Sequence, residues 1–219
     1  MCIRDRLRTD YIDIWHVHGF DVATPLSEVA DTLNGLIESG KVRYVGVSNF
    51  AAWQLTTLQH QLAPGRSLVS AQYEYSLLQR GVEREVLPAS RALGLGLLAW
   101  SPLGRGVLTG KYRNNIPADS RAASPHWGGF TRSLLNDANR AVVEAVVAAA
   151  QGLGITPLDV ALAWTTRHAT SSITGARTAA QLRSLLANES FELPNEIVAA
   201  LDDISDPTFT YPDATFLES

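Results

Sequence analysis

The sequence holds a single cysteine, Cys2, among 219 residues. One thiol permits no intrachain disulfide and no thiolate metal cluster, so no metal site is expected and a reducing cytoplasm is the expected compartment. No uninterrupted apolar run reaches the roughly 18 residues that a membrane-spanning helix needs, so no membrane partner is expected. Lysine and arginine form no cluster and the formal charge is −4. Nucleic-acid phosphates require a basic face, so no nucleic acid is expected either. Met1-Cys2-Ile3-Arg4-Asp5-Arg6 has charges but no apolar stretch behind them, unlike a secretory signal. It runs almost directly into a strand pattern. These six residues are expected to be a spurious leader on a shortened reading frame, with a short natural N-terminal helix as the alternative.

What is present is ordinary globular material. Hydrophobic residues make up 46% and charged residues 18%, enough apolar surface for one sizeable core. Short apolar runs alternate with amphipathic helical segments. Strands are expected at Tyr11–His18, Arg43–Ser48, Leu68–Tyr75, Gly96–Trp100 and Ser171–Thr174. Helices are expected at Pro25–Ser39, Ala51–His60, Val82–Leu93, Asp137–Gly152, Pro157–His168, Ala179–Leu186 and Pro194–Ile204. Thr24 is placed to cap the first helix, Pro25 to open it and Gly40 to end it. Ser101–Leu135 is rich in Gly, Pro, Ser and Arg without a period, the profile of a functional or disordered loop. No linker is long enough to separate one domain from another, so residues 7–219 are expected to form a single one.

Repeated strand–helix units imply a parallel sheet with helices outside it. Periodicity fits a doubly wound sheet and a barrel equally. A dinucleotide-binding doubly wound fold should follow its first strand with a Gly-rich turn, whereas this strand ends in His18-Gly19-Phe20-Asp21. Polar residues instead gather at the C-terminal ends of the strands: His18, Ser48-Asn49, Gln72, Ser101 and Thr174-Gly175-Ala176-Arg177. A TIM barrel places its site on that rim. The expectation is therefore an α/β fold, an incomplete (β/α)8 TIM barrel.

The same rim residues resemble the aldo-keto reductase family. Asp10-Tyr11-Ile12-Asp13-Ile14-Trp15-His16-Val17-His18 is similar to the family's fourth strand, which ends in a catalytic histidine. Gly40-Lys41-Val42-Arg43-Tyr44-Val45-Gly46-Val47-Ser48-Asn49-Phe50 is similar to its fifth. Gln72-Tyr73-Glu74-Tyr75, Trp100-Ser101-Pro102-Leu103-Gly104-Arg105-Gly106 and Gly175-Ala176-Arg177-Thr178 follow in the family's order, from about Leu7 to Ile204. The resemblance implies strands four to eight of the barrel, NADPH as cofactor and a small-molecule carbonyl substrate, reduced to an alcohol by hydride transfer.

Residue by residue, the resemblance makes His18 the histidine that orients the carbonyl, with a core packing role as the plainer alternative. His16, one layer deeper on the same face, suits a hydrogen-bonded core role. Ser48, Asn49 and Gln72 correspond to the carboxamide anchors, although Ser and Asn also serve at strand ends and turns. Trp100 corresponds to the aromatic stacked on nicotinamide, against the alternative of a core tryptophan. Ser101, Leu103, Gly104 and Arg105 would follow the pyrophosphate. Gly175, Arg177 and Gln181 would take the phosphate end, Arg177 favouring NADPH over NADH unless it is simply a solvated helix-start arginine. The family's acidic-plus-asparagine pair near the adenine is replaced by Ser184 and Leu185.

No motif in these residues matches the family's catalytic aspartate, tyrosine and lysine, since Tyr11 and Tyr44 sit inside strands that match other segments. The strands beginning at Tyr11 and Ser171 would leave open sheet edges, so the chain alone is expected to be poorly folded and inactive. A non-catalytic NADP(H)-binding regulatory protein is the alternative, and an unrelated barrel enzyme with a phosphate site a third reading. Substrate contacts are expected from the loop Gly106–Leu135, through Tyr112, His126, Trp127 and Phe130.

Overall fold

The computed structural model describes residues 6–187 and 190–208. Met1–Asp5, most of the expected leader, lie outside them. Strand–helix alternation dominates. β1 (Ile12–Val17), α1 (Leu26–Glu38), β2 (Val42–Ser48), α2 (Ala52–Gln61), β3 (Leu68–Glu74), α3 (Val86–Ala92) and β4 (Gly96–Trp100) follow one another. After a long irregular segment come α4 (Gly128–Arg132), α5 (Asp137–Leu153), α6 (Pro157–His168), β5 (Ser171–Ile173), α7 (Ala179–Leu186) and α8 (Asn195–Ile204). The strands are ordered as in the chain, β1-β2-β3-β4-β5, and β1 on β2 and β2 on β3 are parallel. A doubly wound sheet takes a strand out of chain order at its switch point. None is out of order here, so the five parallel strands follow one another as consecutive units of a (β/α) barrel do.

The residues group into two compact units. One comprises the chain up to Tyr73 with Glu83–Leu98; the other comprises Glu74–Val82 and everything from Ala99 onward. In the first unit, Ala30 and Leu33 of α1, Leu55 and Leu58 of α2 and Val42, Val45 and Val47 of β2 are buried. Thr24 does not cap α1. Asp21 forms a turn that takes the Thr24 hydroxyl (2.7 Å) and the Ala23 N–H (3.0 Å), the local competition that Asp offers a helix start. The Pro25 carbonyl accepts the first helical bonds instead. Gly40, at φ +68°, ends the helix as expected. α3 is shorter than its pattern, with a 3-10 turn at Gly81–Glu83 before it. Pro88 is the reason: lacking an N–H, it fits only the first helical turn, so the helix starts just ahead of it.

In the second unit, the Asn136 side chain caps α5 by accepting from Asn139 N–H (2.9 Å). Val142, Val143, Val146, Val147 and Ala150 form its buried stripe. Thr156 and Asp159 make a reciprocal capping box on α6, with Pro157 at its first position. The fully buried Trp164 of α6 donates to Asp202 of α8 (2.8 Å) and packs its ring against Tyr75, 5.4 Å between centroids. Among the described residues, no single helix is long and apolar enough to cross a membrane.

Candidate active site

In the first unit the strand ends are organised around a missing side chain. A Cβ on Gly46 would lie 2.7 Å from His16 Cδ2, Ser70 O and Ser70 Oγ. In register, His16 stands opposite Gly46 and Gly46 opposite Ser70. The imidazole therefore reaches across the bare Gly46 backbone, and His16 Nε2 meets Ser70 Oγ at 2.8 Å. Burial holds His16 below its ordinary pKa, keeping the ring neutral. This is the hydrogen-bonded core role its position suggested.

One step further along, Ser48 pairs with Gln72. Ser48 is buried, Gln72 half-buried, and His18 and Asn49 exposed. Asn49 adopts φ +59°, a left-handed conformation that Asn tolerates. Its Nδ2 donates to the His18 carbonyl (3.1 Å) and to Ser48 Oγ (3.0 Å), and its N–H donates to the Gln72 carbonyl (3.3 Å). Asn49 thus staples the ends of β1, β2 and β3, and brings His18, Ser48 and Gln72 into one polar layer. Both side-chain bonds come from Nδ2, so neither engages the amide oxygen, an acceptor. Beside this layer the Tyr73 hydroxyl donates to the Phe50 carbonyl (2.7 Å), and burial pushes its phenol up to about 12.

The second unit contains a cleft of ≈ 860 Å³. Trp100, Ser101, Leu103, Arg105, Gly175, Arg177 and Gln181 all line it. Gly104 stands behind the wall, buried, where a Cβ would come 2.8 Å from Leu78 Cδ1. The floor is an unusual stretch of backbone: Ser101, Gly104, Arg105 and Gly106 have φ of +54°, +55°, +60° and +91°. The N–H groups of Gly104 and Gly106 donate to the Ser101 and Leu103 carbonyls (both 2.9 Å), so this stretch is a tight run of turns held by its own backbone. Lys111 and Arg121 add cations to the lining, while no carboxylate among the described residues contributes to it. The cleft therefore suits an anion.

Several side chains here do local work as well. Arg177 Nη2 donates to the Asp119 carbonyl (3.1 Å), and Gln181 Oε1 accepts the Arg177 N–H (2.8 Å). Thr178 caps α7 by accepting from Gln181 N–H (3.2 Å). The Arg105 guanidinium is turned to Glu74, so what it presents to the cleft is backbone and stem. Ser184 and Leu185 also line the cleft; Leu185 is buried and Ser184 Oγ donates back to the Ala180 carbonyl (3.2 Å). Of the expected substrate-loop aromatics, Trp127 lines the cleft and is 64% exposed. His126 and Phe130 are exposed, whereas Tyr112 is buried, its hydroxyl accepting from Ala122 N–H (3.4 Å). Lys111, Arg121 and Ser124 were not legible in the sequence. They lie in the segment without a period, and only the glycine-rich turn five residues ahead of Lys111 hints that the chain doubles back there.

The Aldo/keto reductase family profile matches residues 2–206. An uncharacterized oxidoreductase of Bacillus subtilis is 40% identical over 203 residues, which is 91% of this chain and 60% of that protein. A probable voltage-gated potassium channel subunit beta of Oryza sativa is 40% identical over 179 residues, 78% of this chain and 54% of its own length. Versiconal hemiacetal acetate reductase of Aspergillus parasiticus is 31% identical over 213 residues, covering 95% of this chain and 61% of the enzyme. The chain thus spans between half and two thirds of the length of these relatives. By the extent of the profile match and the order of its rim motifs, the chain belongs to the aldo/keto reductase family.

Proposed function

We propose that the chain carries the cofactor-binding portion of an NADPH-dependent oxidoreductase that reduces aldehydes or ketones to alcohols, and that its strands are the fourth to eighth of the barrel. The observation that supports this most is the carboxylate-free cleft with Trp100 on its wall and a left-handed glycine loop for a floor. The residues fit the cofactor's chemistry group by group. Ser48, Asn49 and Gln72 offer a hydroxyl and amides to a carboxamide, which needs donors and acceptors without charge. Trp100 offers a flat ring for stacking. Ser101, Leu103 and Arg105 offer backbone to the pyrophosphate, Gly104 gives the loop behind them its tight turn, and Gly175, Arg177 and Gln181 serve the 2′-phosphate end.

NADPH, when bound, supplies the hydride. His18 donates a hydrogen bond to the substrate carbonyl, holding it in line and stabilising the developing negative charge. No tyrosine among the described residues stands ready as the proton donor. Tyr73 is committed to Phe50 with its pKa raised, Tyr75 and Tyr112 are buried, Tyr11 lies under the Arg43 guanidinium, and the exposed Tyr44 sits inside β2 opposite Ile14, four residues short of the strand end. The 219-residue chain is therefore expected to bind NADPH but to turn over no carbonyl. Tryptophan quenching on titration with NADPH checks the first statement; a folded chain that shows none counts against the reading. Turnover of an aldehyde by the same chain would sink the second.

A regulatory, non-catalytic cofactor-binding role is the second reading, favoured by the 40% identity to a protein named as a potassium channel subunit. A longer chain that adds an aspartate, a tyrosine and a lysine and reduces a carbonyl with NADPH decides for the enzyme. Binding without turnover in that longer chain decides for the regulator.

A further inference from the structure

Arg105 stands on the wall of the cleft, yet its charge is directed away from it. Nε donates to Glu74 Oε1 (2.7 Å) and Nη2 to Glu74 Oε2 (2.6 Å), a bidentate pair whose side chains are only 6% and 15% exposed. Nη1 donates to the Phe130 carbonyl and to Ser133 Oγ (3.2 Å), and the guanidinium lies over the Phe130 ring. The residue carrying this fork has φ +60°, between Gly104 and Gly106, which are also left-handed. A side-chain-bearing residue persists in that region only where its surroundings over-determine it. Here Glu74, the last residue of β3, holds one side of the guanidinium, and residues 130–133 hold the other.

We infer that Glu74 and Arg105 are positioning residues for the cofactor cleft. Their ion pair fixes the left-handed loop 104–106. Through Phe130 and Ser133 the same guanidinium seats α4, which follows directly on Trp127 in the cleft lining. One side chain thus orders two stretches of the wall, and neither of the paired charges needs to touch a ligand. The consequence for NADPH rests on the function proposed above; the clamp itself does not.

Hydrogen–deuterium exchange in the cofactor-free 219-residue chain reads the clamp directly. Glu74→Gln keeps the shape of the side chain and removes its charge. It is expected to raise exchange in residues 101–110 and 124–135 by about tenfold, leaving β1 and β2 as in the wild type, and to weaken NADPH binding by about tenfold. Wild-type exchange in both segments, or an equal rise throughout β1 and β2, overturns the inference. Arg105→Gly provides a second arm, because glycine accepts φ +60° without strain. Millimolar guanidinium added to that variant is expected to restore slow exchange and, with it, NADPH affinity. A residue that merely fills space would not respond, and failure to restore either one overturns the clamp. A wild-type chain with slow exchange in both segments but no NADPH binding counts against the proposed cofactor, while the exchange of the two variants still decides for or against the clamp.

Discussion

The two units hold polar groups in place by different means. In the first, regular strands set a register, and the register lines up His16 with Gly46 and Ser70, then Ser48 with Gln72. Position follows from the alternation of side chains along a strand, and a single glycine makes the room. In the second, the cleft floor is irregular backbone with four left-handed residues between Ser101 and Gly106. It has no ladder to hold it, only its own turn bonds and one side chain brought from a distance, Glu74 to Arg105. A site built on register is rigid because its scaffold is. A site built on a loop is as rigid as its clamps, and that is where cofactor affinity is most easily lost.

The sharpest way to break this contrast is to add one methyl group to each side. Gly46→Ala forces a Cβ to 2.7 Å from a backbone oxygen and two side-chain atoms across three strands. It is expected to cost about 3 kcal/mol of stability, the upper end for overpacking, visible as a lower urea midpoint for the whole chain. Gly128→Ala meets the Ala122 carbonyl at 2.6 Å and the Arg132 guanidinium. The flexible arginine can move, and the surrounding segment is short, so about 1–2 kcal/mol is expected. Its larger signature is local, as faster exchange in residues 121–133. Equal, global losses from both variants would erase the distinction between the units. A smaller effect is expected from Arg177→Met, which keeps the stem but removes the fork. NADPH binding should weaken by about tenfold, with NADH binding little changed, because only NADPH carries the 2′-phosphate.

Legibility in the sequence followed the same division. The helices Pro157–His168 and Ala179–Leu186 appear with the bounds their caps and stripes indicate, and β4 runs from Gly96 to Trp100 as its apolar run suggests. The polar strand ends could be found because strand periodicity says which residues share a face. The 101–135 segment could not be read this way. Its turns depend on φ values, and a sequence betrays positive φ chiefly through glycine and asparagine, whereas Ser101 and Arg105 adopt it without being either. Arg105 shows the limit most clearly. Its place in the motif suggested a phosphate ligand, and nothing local reveals that Glu74, thirty-one positions earlier, takes its Nε and Nη2 donors. Tyr112 and Trp127 looked equivalent as loop aromatics, but one is buried and the other is largely exposed.

The finest test concerns His16, where register and titration meet. Its folded pKa lies below the ordinary value of 6.5 because burial disfavours the imidazolium. The unfolded chain therefore takes up a proton near pH 6.5 while the folded chain does not. Wherever the unfolded state binds more protons, stability rises with pH, so the contribution of His16 is complete above about pH 6.5 and is lost as pH falls below it. Urea unfolding at about pH 7.5 and about pH 5.5 should show this as a lower midpoint in acid. His16→Gln retains a hydrogen-bonding group near Ser70 Oγ but cannot titrate, so its loss between the two pH values should be smaller than that of the wild type. Equal losses in the two proteins would mean that the layer tolerates a charged imidazole. The strand ends would then be softer than the register across Gly46 implies, and closer in kind to the loop of the second unit.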